Sequence, residues 1–182
     1  GQLDAAILAL PIHEPLLHEE PLFSEDFVLA LPAEHHLAGD RTAVDSSVLA
    51  GEHVLLLEEG HCLRDQALAV CQLNGAAERS GFRATSLETL RQMVAAGVGV
   101  TLLPELAVQA PVPASPSIVL RDFTDPPPRR DIAMFWRRTS VYRDLLPAVA
   151  EVIRAEAAAL VGHGRGAPEP ISRCCAGRWR SR

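Results

Sequence analysis

The sequence predicts an α/β fold with mostly parallel sheets, and three observations carry that expectation. Short apolar runs of strand length recur along the chain, amphipathic helical stretches alternate with them, and Gly and Pro mark the boundaries between the two. Leu3–Leu10 is an almost unbroken apolar run ended by Pro11, the pattern of a strand buried on both faces. Phe27–Leu31 is a second run, stopped by Pro32, and the polar stretch holding His35, His36 and Asp40 reads as loop. Val54–Leu57 is a third strand. Glu58-Glu59-Gly60 turns it into a helix over His61–Leu73, which Asn74-Gly75 ends because glycine accepts the left-handed conformation past a last turn. Arg83–Thr85 reads as a strand, and Ser86 caps a helix whose Leu87, Leu90 and Val94 share a face. Gly97 and Gly99 close that helix, and Val100–Leu103 is the next strand before Pro104. Pro111–Ser117 is a proline-rich loop, Ile118–Leu120 a short strand, Pro126-Pro127-Pro128 a rigid turn and Ile132–Trp136 a strand. The last helix spans Leu145–Val161, with Pro147 in its first turn, where a missing N–H breaks no helical bond. From Gly162 to Arg182 the periodicity stops, and no fold is expected there.

The chain has 182 residues, 48% of them hydrophobic, enough for one ordinary domain or two small lobes. No apolar run reaches the ~18 residues that cross a bilayer, and no signal peptide opens the chain, so a cytoplasmic protein without a membrane partner is expected. It begins at Gly1 on residues that read as the inside of a domain, and it is taken as a piece of a longer protein. The net charge of −6 argues against this chain gripping DNA by itself, since phosphate binding needs a concentrated positive surface. Every basic residue is Arg, a bias that GC-rich coding explains. Four cysteines in a cytosolic chain do not make a disulfide scaffold. There is no Gly-rich phosphate loop, no CxxC pair and no set of histidines at ligand spacing, so neither cofactor nor metal is expected.

The chemistry concentrates in His61-Cys62-Leu63-Arg64-Asp65-Gln66-Ala67-Leu68-Ala69-Val70-Cys71. On a helix, Leu63, Ala67, Val70 and Cys71 share an apolar face, whereas Cys62, nine residues before Cys71, lies on the opposite side at ~100° per residue. At ~1.5 Å per residue the two are ~13–14 Å apart along the axis. A disulfide needs Cα atoms within roughly 7 Å. Were they to bond, the helix must unwind or bend, which couples oxidation to conformation. Cys62 falls at a helix N-terminus, a setting that favours thiolate, and His61 and Arg64 flank it with donors or positive charge. Thiolates react with peroxides to give sulfenic acid. Spacing alone is weak evidence, however, and two ordinary buried helix cysteines are the plainer reading of a C-x8-C pair.

The block Glu59-Gly60-His61-Cys62-Leu63-Arg64-Asp65-Gln66-Ala67 followed by Cys71 resembles the peroxide-sensing members of the LysR-type transcription regulators. The resemblance continues through Phe82-Arg83-Ala84-Thr85-Ser86-Leu87-Glu88-Thr89-Leu90-Arg91, Met93-Val94-Ala95-Ala96-Gly97, Thr101-Leu102-Leu103-Pro104 and Pro128-Arg129-Arg130, covering Gly1 to about Leu160. It implies a two-lobed α/β effector domain similar to periplasmic binding proteins, here lacking the start of lobe one. On that pattern residues 1–24 end the first half of lobe one, 25–130 form lobe two, 131–161 return to lobe one and 162–182 are an irregular tail. It also implies that Cys62 is the peroxide-reactive cysteine and Cys71 its disulfide partner, with His61 and Arg64 beside the reactive sulfur. Arg130, with Arg129, would be a more distant positive group, and Thr101 a strand residue rather than a peroxide contact. The family's winged helix-turn-helix and linker helix are absent from this chain, as are hydroxyl residues of the peroxide pocket. Cys174, Cys175 and Trp179 in the tail have no counterpart.

The implied partners are hydrogen peroxide as signal, further copies of the chain as dimer or tetramer, a thiol reductant for reset, and promoter DNA and RNA polymerase through the full-length protein. Three other readings compete with peroxide sensing. One is a LysR-type effector domain that binds a small metabolite, with incidental cysteines. Another is a thiol peroxidase, which lacks a resolving domain here. The last is a chain too short to function, its sheet edge and core exposed.

Overall fold

The computed structural model describes residues 3–39, 42–109 and 112–161, with 77–80 and 82 as backbone only. Asp40, Pro111 and the expected tail with Cys174, Cys175 and Trp179 lie outside the described residues. In chain order the elements are β1 (Ala5–Ala9), β2 (Leu17–Pro32), β3 (His53–Leu57), α1 (Cys62–Leu73), β4 (Ala77–Ala84), α2 (Leu87–Ala95), β5 (Thr101–Pro104), β6 (Ile118–Arg121), β7 (Arg129–Arg137) and α3 (Leu146–Val161). Short 3-10 helices span Ser46–Gly51 and Glu105–Ala107.

β2 organises the molecule. Its first part, Leu17–Asp26, pairs antiparallel with β7, which pairs antiparallel with β1 on its other edge. Its second part, Phe27–Pro32, pairs antiparallel with β5 and β6. β3 and β4 form a parallel pair, and Val54 of β3 bridges Val100 in parallel. The expectation of mostly parallel sheets is therefore corrected: among the described residues, parallel pairing is confined to β3–β4 and isolated bridges. A run such as Phe27–Leu31 records burial on both faces, and burial does not fix strand direction.

The first part of β2 escaped the sequence reading because Glu19, Glu20, Pro21, Glu25 and Asp26 break any strand pattern. The register shifts between Pro21 and Phe23, a bulge that accommodates a residue unable to donate to the ladder. The charges are answered from neighbouring elements: Glu20 pairs with Arg154 of α3, while Glu25 and Asp26 face their register partners Arg130 and Arg129.

Two hydrophobic clusters result. The larger joins Phe27, Leu29 and Leu31 of β2 to Leu55, Leu102, Leu103 and Phe123, and α1 and α2 close over it with Leu63, Ala67, Cys71, Leu90 and Val94. The smaller joins Leu22, Ile132, Met134 and Trp136 to Leu146 and Ala150 of α3. Gly99 is required where the chain re-enters the sheet, because a Cβ there would stand 2.6 Å from the carbonyl oxygen of His53. No helix of the described residues is long and apolar enough to cross a membrane.

Candidate redox site

α1 begins one residue after the turn Glu58-Glu59-Gly60, where Gly60 takes a φ of +94° that only glycine adopts cheaply. His61 is its N-cap, in extended backbone, and makes no side-chain bond to the first turn. The amide hydrogens of that turn are therefore left uncapped by a side chain, with Cys62 at the first helical position. At the other end Gly75, at φ +69°, lets the Ala76 N–H reach the Cys71 carbonyl at 2.9 Å and the Gly75 N–H reach Gln72 at 3.3 Å, a Schellman closure. Asn74 reinforces it by donating its side chain to the Val70 carbonyl at 2.8 Å.

The two cysteines occupy contrasting surroundings. Cys62 is exposed, whereas Cys71 is 1% exposed inside the larger core, and neither is in a disulfide. With α1 intact over both, their separation stays near the ~13–14 Å of nine helical rises, beyond disulfide reach.

Arg64 is 6% exposed, and its Nη1 donates to the Leu57 carbonyl at the end of β3, 3.0 Å away. It thus anchors the start of α1 to the strand before it. Gln66, one turn past Cys62, donates Nε2 to the Leu10 carbonyl just beyond β1 at 3.2 Å. Its Oε1 is buried with no hydrogen-bond partner among the described residues.

Arg130 is placed elsewhere. Its Nε and Nη2 donate to Glu25 Oε1 at 2.8 and 2.6 Å, and the other carboxylate oxygen accepts the Leu106 N–H at 3.0 Å. Glu25 is 1% exposed, so this pair locks β2 to β7 where the two clusters meet. Arg129 Nε stands 3.4 Å from Asp26 Oδ1. Burial raises the Glu105 carboxyl above the ordinary glutamate range, and the negative charge of nearby Asp26 adds to it. Thr101 is a strand residue whose hydroxyl donates to the Leu55 carbonyl at 2.8 Å. His61, Cys62 and Arg64 are thus brought together at the head of α1, Cys71 sits beneath the same helix, and Arg130 is committed to Glu25.

Sequence reasoning missed Glu25 and Gln66, whose partners lie 105 and 56 residues away. It also passed over His35, His36 and Glu52, which the fold gathers; only the adjacency of the two histidines was visible beforehand.

A strand shared by two cores, with a cysteine-bearing helix over the larger, is the arrangement of a LysR-type effector domain. The family model described as the LysR substrate binding domain matches residues 1–158, and the chain belongs to that family. Among its relatives, the DNA-binding transcriptional dual regulator OxyR of Escherichia coli K12 is 48% identical over 155 residues, covering 85% of this chain and 50% of that protein. A solved structure of the reduced form of OxyR superimposes with a TM-score of 0.73 at 46% identity, covering 85% of this chain and 71% of that one. The oxidized form gives 0.72 at 49% identity, covering 85% and 72%. The chain spans about half the length of the E. coli relative.

Proposed function

We propose that the chain is the redox-sensing regulatory domain of a LysR-type, DNA-binding transcription regulator of the oxidative-stress response. One observation carries this reading: an exposed cysteine at an uncapped helix N-terminus shares its helix with a buried one. The Cys62 thiolate attacks one oxygen of hydrogen peroxide, breaking the O–O bond and giving Cys62 sulfenic acid with release of hydroxide, which leaves as water on protonation. The Cys71 thiol then displaces the sulfenic hydroxyl as a second water, and the disulfide forms. The bond requires α1 to unwind, which pulls Cys71 from the core and lifts Leu63 and Ala67 from their packing. Two electrons from a cellular thiol reductant return the pair to thiols. That the solved relatives include a reduced and an oxidized form supports the reading.

In this account residues 1–24 and 131–161 belong to lobe one and 25–130 form the redox lobe, a division supported by the two hydrophobic clusters. His61 and Arg64 act on the reactive sulfur, while Arg130 acts through the Glu25 lock. The remodelled lobe changes contacts between copies of the chain, dimers pairing into tetramers. The attached DNA-binding domains then shift their grip on promoter DNA and RNA polymerase in the cytoplasm.

The test is to map disulfides by mass spectrometry on the reduced chain before and after one equivalent of hydrogen peroxide, following far-UV dichroism. A Cys62–Cys71 link forms with loss of helical signal, and Cys71→Ser stops at sulfenic acid on Cys62. Thiols that persist at both positions, or a Cys71→Ser regulator that still responds fully to peroxide, would overturn the proposal in favour of metabolite sensing.

A further inference from the structure

Away from α1, a second group of side chains converges. His35 and His36 lie in the turn after β2, and Glu52 follows the 3-10 helix Ser46–Gly51 just before β3. His35 Nε2 is 3.1 Å from Glu52 Oε2, His36 Nε2 is 3.4 Å from Glu52 Oε1, and the two rings stand 4.4 Å apart at 36°. One donor atom from each of the three residues falls within 4.8 Å of the others. We propose that His35, His36 and Glu52 form a binding site for a divalent transition-metal cation of the zinc class.

The spacing fits the cation. Ligands held at ~2.0–2.2 Å in a tetrahedral shell lie ~3.3–3.5 Å from one another; His35 and His36 stand 3.1 and 3.4 Å from different oxygens of Glu52, so one carboxylate faces both imidazoles. Two imidazoles and a carboxylate select zinc and its neighbours over magnesium or calcium, which prefer all-oxygen shells. Burial is graded: the His35 and Glu52 side chains are 16% and 11% exposed and His36 69%, so the site has a fixed floor and a face open to solvent for entry and for a water ligand.

Both arms are tied down. The Glu52 N–H donates to the carbonyl of Leu49, a fully buried residue, at 3.0 Å. The His35 N–H donates to Pro32 at 3.0 Å and the Ala38 N–H to His35 at 2.8 Å, fixing the turn. Arg121, buried on β6, donates to the Leu37 and Thr42 carbonyls.

One further contact orients the His35 ring. The Leu37 N–H lies 3.3 Å from His35 Nδ1, which leaves Nε2 as the ring nitrogen that faces Glu52.

This site uses no cysteine, so it stands or falls independently of the redox reading. The experiment is a calorimetric titration of the reduced full chain with zinc chloride, paired with long-range imidazole proton–nitrogen correlation spectra. Zinc should shift the ring nitrogens of His35 and His36 at one equivalent. His36→Ala and Glu52→Gln should each weaken binding by at least ~10-fold, and Cys62→Ser should leave it unchanged; His36 is exposed, so its loss tests the ligand and not the fold. Unmoved His35 and His36 resonances, affinity retained in both variants, or affinity lost in Cys62→Ser would each overturn the proposal, leaving three residues joined only by hydrogen bonds.

Discussion

α1 and α2 lie over the same core, yet their starts are built on different rules. α2 opens on Ser86, whose Oγ accepts the Thr89 N–H at 3.1 Å, and it buries Leu90 and Val94. α1 opens on His61, whose side chain caps nothing, and its buried face admits Arg64 and Cys71 beside Leu63 and Ala67. One helix is closed by its own local sequence and sealed by apolar contact. The other has no side-chain cap on its first turn and depends on a tertiary bond, Arg64 to Leu57, to stay seated. A helix that only packs gains from the first arrangement, and one that had to open, as proposed for α1, would gain from the second.

Arg64→Ala should give the largest effect on this contrast. It removes a charged hydrogen-bond donor from a buried carbonyl, at a cost of about 2–3 kcal/mol, read as a lower urea midpoint and faster exchange of α1 amides. If α1 amides exchange no faster than in the unsubstituted chain, Arg64 is not the anchor. Ser86→Ala removes the cap of α2 and should cost about 1 kcal/mol, with faster exchange confined to α2. His61→Ser should have the smallest effect, adding a cap that α1 lacks and raising stability by about 0.5 kcal/mol. The same variant takes both the His61 ring and the open N–H groups from the sulfur, so disulfide formation after peroxide slows. A faster reaction in that variant would remove the uncapped turn from the mechanism.

The elements that local chemistry specifies were legible in the sequence. The helix read over His61–Leu73 is found as Cys62–Leu73 with Asn74-Gly75 closing it, and Ser86 caps α2 as its hydroxyl predicts. The apolar face of α1 was read from Leu63, Ala67, Val70 and Cys71, of which Val70 is only partly buried, but Arg64 turning inward was not read, because its acceptor belongs to another element. Strand direction and the first part of β2 were lost for a related reason. Glu25 is acceptable in a strand only because Arg130 stands opposite it, a fact of register rather than of neighbouring residues. The gathering of His35, His36 and Glu52 likewise depends on where the ends of β2 and β3 come to lie.

The unbroken run of β2 through both hydrophobic clusters has a mechanical consequence. Sixteen residues of extended chain make a beam about 50 Å long, clamped near its middle by the Glu25–Arg130 pair and notched at the Pro21–Phe23 bulge. Two bodies linked by a slack tether would absorb a displacement at the joint. Two bodies sharing one beam would pass it on as torque, so a displacement of one cluster would reach the other as a twist of the strand they hold in common.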